Sequence, residues 1–545
     1  MEITRVFLFG ALFLIGFMLW TSWENDYAVK TPTPIKTAAN VPFQPGPVLL
    51  SGNQQPAVPA TKPTQNLVKV HTDVLDITID TLGGNVVAAN LLNYPQKLHD
   101  PQPYQLLNND PSKLYAAQSG LIGTQGPDNI QGQANYVATQ NNYALLPGQN
   151  DLAVNLQWKN KDGVEVIKQF VFHRGNYAID VNYQIKNNAK TPWAGQFYAQ
   201  LERKKVPPPD HGFFTINPYV GGAISSPEKP YQKISFDKMS EQNLNTSITG
   251  GWAAMLEHYF LSAWVPAANQ TFNYYSHVSD GDLYTLGMLG QPIMVPAGGQ
   301  AVVGAKLYAG PEIMDNLKAI APNLDLTVDY GILWFISIGI FWLMKQIYNI
   351  VGNWGWSIVL VTVLIKLAFY HLSAKSYRSM ATMRKLQPRL QALKERYGDD
   401  KQKLTQATME LYRTEKINPL SGCLPIIVQI PVFIALYWVL LESVELRQAP
   451  FILWIHDLST RDPYFILPII MGATMYIQQK LNPPPPDPMQ AKMMSFLPIF
   501  FTFLFINFPS GLVLYWVVNN SLSILQQWYI MRSVEAQGTT PNRKR

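Results

Sequence analysis

Lys366 raises the clearest chemical question in this chain, because it lies inside the apolar stretch VTVLIKLAFYHL. An ionised side chain at the centre of a membrane-spanning helix costs about 2.5–3.5 kcal/mol. Trp354 lies twelve residues earlier, which is about 18 Å along a helix, so Lys366 is near one end of the span. Its ammonium group could extend to the lipid headgroups or face water inside the protein.

Other polar residues inside apolar segments favour the second interpretation, in which Lys366 faces a hydrated groove. They are Thr362 and Lys366 on one segment, Gln429 on the next, and Trp516, Asn520 and Ser523 on the last. Within a segment these residues are three or four positions apart, so they share one face of a helix. Such stripes can also bond helices together without a groove, and the spacing leaves both interpretations open.

A second distinctive region is the basic segment 373–420. Its apolar residues recur at spacings of three and four, and Gly398-Asp399-Asp400 interrupts them, which predicts two antiparallel helices joined by a tight turn. The basic residues of this hairpin are Arg384, Lys385, Arg389, Lys394, Arg396, Lys401 and Lys403. They form either a plain solvated surface or a docking surface for ribosome, RNA or acidic lipid headgroups.

The chain carries no sequence motif of a known enzyme class. The six histidines between residues 67 and 325 are scattered, and none has the spacing of a metal site or of a catalytic motif. We therefore expect no metal, no cofactor, no small-molecule substrate and no enzymatic activity. The single cysteine, Cys423, excludes an intramolecular disulfide.

The elements that must position these residues differ between the two halves of the chain. In residues 67–325, stretches such as LAVNLQW and NYAIDVNYQI alternate apolar and polar residues, which predicts a large antiparallel β sandwich. The later apolar segments predict five membrane-spanning helices. An N-terminal apolar run, interpreted as an uncleaved anchor rather than a signal peptide, makes six.

Loop charges predict the orientation of these helices. The basic segment 373–420 belongs in the cytoplasm, and the loop 442–462, with four acidic residues and two arginines, belongs outside. The β domain then lies outside and both termini lie inside. The apolar stretch Gly331–Met344 is short for a span, so we interpret it as a helix in the membrane interface rather than as a further span.

The resulting organisation follows the order of the chain. It is an N-terminal anchor (1–23), a proline-rich linker (24–66), the β domain (67–325), an interfacial amphipathic helix (326–353), a span (354–372), the basic hairpin (373–420), a span (421–441), an outer loop (442–462), a span (463–480), a proline-rich cytoplasmic loop (481–493), two spans (494–508 and 511–531) and a basic tail (532–545).

Three long stretches carry a specific resemblance to a known family. Residues Met383–Phe433, Glu442–Met475 and Phe508–Asn520 resemble the core of the YidC/Oxa/Alb membrane protein insertases. The N-terminal anchor and the β domain with GGWAAMLEHYF (Gly250–Phe260) resemble the Gram-negative form of that family. The resemblance implies a five-helix core plus anchor, and a periplasmic supersandwich akin to sugar mutarotases but largely non-enzymatic.

The resemblance also implies a function and its partners. Such proteins insert newly made membrane proteins into the inner membrane and help them fold, alone or with the Sec translocon, without nucleotide hydrolysis. Expected partners are nascent membrane proteins, the Sec translocon, the ribosome and targeting receptor at the cytoplasmic face, and membrane lipids. Residues that contact clients would be Thr362, Phe433 and Trp516, and Lys366 stands where the family usually has arginine.

Two rival functions remain open from the residues alone. A small-solute transporter would favour inverted repeats or several intramembrane acids, and the sequence shows neither. An envelope sugar enzyme anchored to the membrane would leave five further spans and the basic hairpin without a role.

Overall fold

We describe a computed structural model of the chain, covering residues 67–129, 132–205, 218–279, 282–398, 400–415, 424–482 and 488–538. The predicted anchor and proline-rich linker lie outside these residues, as do residues 416–423 at the end of the basic hairpin, residues 483–487 of the proline-rich loop and the end of the basic tail.

The first half of the described chain is a two-sheet β domain. Its strands are β1 (Leu67–His71), β2 (Leu75–Asp80), β3 (Asn85–Pro95), β4 (Pro103–Leu107), β5 (Tyr115–Ile122), β6 (Val137–Ala138), β7 (Asn142–Ala144), β8 (Asp151–Lys159), β9 (Val164–His173), β10 (Ala178–Asn187), β11 (Trp193–Lys204), β12 (Gly221–Ser225), β13 (Gln232–Ile234), β14 (Asn245–Thr249), β15 (Trp252–Leu256), β16 (Phe260–Val265), β17 (Thr271–Ser279), β18 (Leu283–Leu289), β19 (Ile293–Val295) and β20 (Gln300–Pro311).

One sheet runs in the order β14-β17-β18-β11-β5-β3-β2-β1-β7, with β4 on β3 and β19 on β11. The other runs β13-β12-β15-β16-β20-β10-β9-β8-β6. The sheets pack face to face around one core, and the Trp264 indole donates across it to the Gln200 carbonyl at 3.0 Å. The predicted sandwich is confirmed, although β1 and β7 pair in parallel.

The predicted alternation is visible in β9. Val164, Val166, Phe170 and Phe172 are all buried, and the residues on the opposite face of the strand are partly exposed. The same face contains Lys168, which is completely buried, so the pattern places a charged residue where it predicts an apolar one.

The second half is helical. The helices of the described chain are α1 (Phe236–Glu241), α2 (Met314–Ile320), α3 (Trp334–Val351), α4 (Trp354–Ala368), α5 (Tyr370–Lys385), α6 (Gln387–Tyr397), α7 (Lys401–Thr414), α8 (Leu424–Glu442), α9 (Ile466–Leu481), α10 (Pro488–Phe505) and α11 (Ser510–Gly538), of which α1 and α2 belong to the β domain and its connection. Short 3-10 turns span Leu324–Thr327, Gly331–Leu333 and Val444–Leu446.

Two breaks divide what the apolar pattern presents as continuous helix. At Phe369 the chain bends by 68° between α4 and α5, three residues before the predicted end of the span. At Leu386, which is buried, α5 gives way to α6, so the predicted first arm of the hairpin is two helices. The α6–α7 pair forms the hairpin itself, and the Asp400 carboxylate caps α7 by accepting from the amides of Gln402 and Lys403, at 3.1 Å each.

Length and hydropathy identify one described helical segment that could cross a membrane, Gly331–Val351, and a second if the bent pair α4 and α5 counts as one span. The first of these is the segment interpreted from the sequence as interfacial. Its buried residues, Ile340, Met344 and Ile347 among them, follow a spacing of three or four, and this face packs against α4 and α8.

Several hydrogen bonds join the β domain to the helical half. Arg447, in the loop after α8, donates from Nη2 to the Pro95 carbonyl at 2.8 Å. His258 Nε2 lies 3.0 Å from the Leu441 carbonyl. Tyr330 and Ser443 join their hydroxyls at 3.1 Å. The two halves therefore meet at the end of α8 that the loop charges predict to be outermost.

Candidate functional site

The Lys366 ammonium group lies inside the helical bundle. It donates to Ser523 Oγ at 2.7 Å and to Gln429 Oε1 at 3.4 Å. Lys366 is on the last turn of α4, Gln429 on α8 and Ser523 on α11. Three segments far apart in sequence thus converge on one positive charge, and Lys366 remains half-buried rather than fully enclosed.

The surroundings of this ammonium group are polar but uncharged. Gln429 Nε2 donates to Tyr515 Oη at 3.3 Å and to Asn519 Oδ1. Ser523 Oγ donates to the Asn519 carbonyl at 2.8 Å. Within the described residues, no acidic side chain forms an ion pair with Lys366. We call Lys366, Gln429, Tyr515, Asn519 and Ser523 the lysine cluster.

The lysine cluster is only partly the set that the sequence predicted. Lys366, Gln429 and Ser523 come together as expected. Thr362 is buried and its hydroxyl donates to the Ile358 carbonyl of its own helix at 2.6 Å. Asn520 faces α9 instead, where its amide donates to Thr474 Oγ1 at 3.4 Å.

Tyr515 and Asn519 were missed, although the sequence held a signal for them. Tyr515, Asn519 and Ser523 are spaced by four, which is the same rule that selected Trp516 and Asn520 one position later. The stripe on α11 that faces Lys366 is therefore rotated by one residue from the predicted one.

Aromatic rings border the lysine cluster. The Phe433 ring centroid lies 5.1 Å from that of Trp516 and 6.1 Å from that of Tyr515. Trp516 also meets Phe505 edge to face at 5.6 Å. The Trp516 indole Nε1 is buried and finds no hydrogen-bond partner in the described part of the chain. Two of the three residues implied as client contacts, Phe433 and Trp516, are thus in mutual contact, while Thr362 is buried apart from them.

Further polar groups continue along α11. Gln527 is buried and its amide donates to Asn482 Oδ1 at 2.9 Å. The Gln527 and Gln479 side-chain oxygens are buried without a hydrogen-bond partner among the described residues. Buried polar groups usually have partners, so enclosed water is the expected donor to these two oxygens.

The basic residues of the hairpin are spread over its outer surface. Arg389 pairs with Glu415 at 2.6 Å and Lys403 with Asp400 at 3.2 Å. Lys385 donates to the Val534 carbonyl of α11 at 3.0 Å. Arg384, Lys394 and Arg396 are exposed, whereas the Lys401 side chain lies outside the described set. Most of these charges therefore face solvent.

The described residues do not bring three or more histidine, cysteine, aspartate or glutamate side chains together in a way that could hold a metal ion. The chemistry that the helical half offers is hydrogen bonding and one positive charge beside an aromatic wall. This arrangement can bind polar or acidic peptide, but it contains no paired nucleophile and base.

Known families and proteins match nearly the whole length of this chain. The YidC periplasmic domain family matches residues 67–343 and the 60Kd inner membrane protein family matches residues 346–537. The membrane protein insertase YidC of Legionella pneumophila strain Lens is 56% identical, over 98% of this chain and 97% of its own. The same protein of Stutzerimonas stutzeri strain A1501 is 50% identical, over 98% and 99%.

A solved structure of an active YidC insertase, with its first transmembrane domain resolved, is 18% identical, with a TM-score of 0.39 over 86% of this chain and 93% of its own. The identities and coverage of the two curated relatives are by themselves decisive. The chain belongs to the YidC family of inner-membrane protein insertases.

Proposed function

We propose that this protein inserts newly made membrane proteins into the inner membrane by receiving their polar segments at the lysine cluster. The observation that carries the proposal is the Lys366 ammonium group, which is held inside the bundle by Ser523 and Gln429 and has no acidic partner among the described residues. No carboxylate among the described residues competes with a client for this charge.

The physical role of the cluster is to lower the cost of moving hydrophilic peptide into the membrane. A client's polar segment exchanges water for hydrogen bonds to Gln429, Asn519 and Ser523, and an acidic segment also gains attraction to Lys366. Unsatisfied backbone groups are the main obstacle to such passage.

Burial of the client's apolar segment supplies the driving force. About 20 apolar residues span a bilayer, and each large apolar side chain gains roughly 1.5–3 kcal/mol on leaving water. Phe433 and Trp516 offer the emerging segment an apolar surface beside the lysine cluster. The process therefore requires no nucleotide hydrolysis.

The orientation belongs to the same proposal. The α6–α7 hairpin lies in the cytoplasm, where its exposed basic residues meet the ribosome, targeting receptor and acidic headgroups, while the β domain lies in the periplasm. The segment 326–353 lies in the outer interface, and the Sec translocon is a second route by which clients arrive. Both termini are cytoplasmic.

Reconstitution tests the function directly. The full chain in liposomes, without nucleotide, should insert a short single-span client so that its tail becomes protected from external protease. Empty liposomes and liposomes with an unrelated membrane protein are the controls. Uptake of small solutes without client insertion would favour a transporter and contradict the proposal.

A further inference from the structure

A cavity of about 760 Å³ lies where the β domain meets the helical half. We call it the junction cavity. The end of β3 contributes Tyr94, α3 contributes Lys345 and Tyr348, and the loop after α8 contributes Glu445 and Arg447. It is separate from the lysine cluster and shares no residue with it.

The junction cavity contains both signs of charge. Arg447 is fixed in place, because Nη2 donates to the Pro95 and Gln96 carbonyls at 2.8 and 3.3 Å and its guanidinium lies 5.5 Å from the Tyr104 ring and 5.4 Å from the Phe260 ring. The hydrogen bonds that the Arg447 side chain makes to other described residues all run through Nη2. Its remaining donors are left for a ligand in the cavity.

The other two charges lie on separate elements. Lys345 of α3 pairs with Asp315, yet lines the cavity. Glu445, in the loop after α8, also lines the cavity, and the described residues supply no ion-pair partner for its carboxylate. Two cations and one lone carboxylate around one space suit a ligand that carries a negative group and a positive group a few atoms apart.

Aromatic rings add to this match. Tyr348 and Trp354 stack at 4.3 Å between centroids, and both line the cavity together with Tyr94. Aromatic faces attract alkylammonium groups. Tyr94, Tyr348 and Glu445 thus offer a place for a positive group, while Arg447 and Lys345 offer one for a phosphate.

The cavity also lies beside a surface suited to lipid. On α3, Trp342 is 61% exposed and Ile350 is 85% exposed, although the opposite face of the same helix is buried. Exposed tryptophan and isoleucine on an amphipathic helix are typical of a membrane interface. A ligand that enters from this side would carry apolar tails next to that surface.

We propose that the junction cavity binds the headgroup of a zwitterionic aminophospholipid, with the phosphate at Arg447 and Lys345 and the ammonium group at Glu445 and the aromatic rings. The bound lipid connects the β domain, α3 and the loop after α8, because each of these three elements supplies part of the site. This inference requires α3 to lie at a membrane surface, but it does not depend on client binding at Lys366.

Native mass spectrometry of the full chain tests the site with phosphatidylethanolamine and phosphatidylglycerol of identical acyl chains. The wild type should retain phosphatidylethanolamine in preference. Glu445→Gln should lower its apparent affinity for phosphatidylethanolamine about tenfold, as expected for the loss of one ionic contact, and should leave phosphatidylglycerol unchanged. Glu241→Gln, an exposed change on α1, is the matched control.

A second pair of variants addresses the phosphate. Lys345→Gln should weaken retention of both lipids, whereas Lys318→Gln, which removes an exposed lysine of α2, should weaken neither. Arg447 is left intact because it also holds Pro95. Lys366→Ala should retain phosphatidylethanolamine like the wild type even where client insertion fails, which separates this proposal from the proposed function.

The proposal is overturned if the wild type retains the two lipids equally, or if Glu445→Gln keeps the preference. Soluble glycerophosphoethanolamine provides a further arm. If it displaces the lipid at equal concentration, the ligand is a free solute and the lipid assignment is wrong. If it fails to compete, the acyl chains contribute as the exposed face of α3 requires.

Discussion

The two halves of this molecule each bury a lysine, and they treat the charge in opposite ways. In the β domain, Lys168 is completely buried, and its ammonium group donates to the backbone carbonyls of Gly83 and Ser119 at 3.1 and 2.8 Å. In the helical half, Lys366 is half-buried and donates to the side chains of Ser523 and Gln429 at 2.7 and 3.4 Å. The first charge is therefore bonded to the backbone and the second to side chains.

The electrostatic surroundings of Lys168 and Lys366 also differ. Burial lowers the pKa of Lys168, and the nearby Asp128 carboxylate counteracts that effect. The rings of Tyr183 and Phe170 also lie 5.1 and 5.4 Å from its ammonium nitrogen. Lys366 has uncharged amides and hydroxyls around it. A buried charge with its own counter-charge stabilises a structure, whereas one without can attract a charged ligand.

The largest expected effect comes from replacing Lys168, the buried lysine of the β domain. Lys168→Met should lower the free energy of unfolding of the β domain by about 3–5 kcal/mol, because it leaves two backbone carbonyls without their donor and removes the positive charge that offsets the buried Asp128 carboxylate. Thermal unfolding of the full chain followed by tryptophan fluorescence measures this. The double variant Lys168→Met with Asp128→Asn is the control and should lose less than the single variant. If the single variant lost less than about 1 kcal/mol in free energy of unfolding, Lys168 would not be the structural counterpart of Lys366.

A smaller effect is expected at the junction between the two halves, and it depends on pH. Burial raises the pKa of Glu445 to about 7, and the neighbouring Asp315 raises it while Lys345 lowers it. A carboxyl group with a raised pKa in the folded state favours folding while it is protonated. This contribution to the free energy of unfolding is complete below the ordinary pKa near 4.5 and is lost as the pH rises through 7. The junction should therefore weaken between pH 5 and pH 8, by about 1–2 kcal/mol after allowance for solvent screening.

Glu445→Gln isolates this contribution from other titrating groups. Amide hydrogen exchange of Gln96–Asp100 and Val444–Gln448 should increase with pH more steeply in the wild type than in the variant, after correction for intrinsic exchange. Identical pH dependence in both proteins would show that Glu445 does not titrate with the junction.

The smallest expected effect tests which face of α11 belongs to the lysine cluster. Ser523→Ala removes the 2.7 Å hydrogen bond to Lys366 and should reduce insertion of acidic clients about fivefold, which corresponds to roughly 1 kcal/mol. Asn520→Ala is the matched control, because Asn520 contacts Thr474 instead. Equal losses in both variants would mean that α11 presents a different face to the client.

The sequence predicted the β domain because alternation is a local property. It could not predict strand order, since β5, for example, pairs with β11, whose residues lie about 80 positions later. Nor could it predict that Lys168 belongs in the core, because its partners come from β5 and from the turn before β3. A buried charge is compatible with a strand only when such distant groups converge.

The helical half was predictable in kind but not in detail. Apolar runs locate helices, yet the breaks at Phe369 and Leu386 depend on packing against other segments. Lys366, Gln429 and Ser523 were identified because polar residues in apolar segments are rare. Asn519 and Tyr515 were missed because Trp516 and Asn520 satisfy the same spacing, and only the packed structure shows which stripe faces α4.

The central claim is that the Lys366 charge attracts the client, and its dependence on client charge tests that claim most directly. Insertion into liposomes would be measured for single-span clients that differ only in having acidic or neutral tails, with wild type, Lys366→Ala and Lys366→Arg. The account predicts that alanine slows insertion of the acidic client about tenfold, as the loss of one charged contact implies, and leaves the neutral client unchanged, while arginine preserves both. Insertion of the acidic client at the wild-type rate by Lys366→Ala would contradict the account.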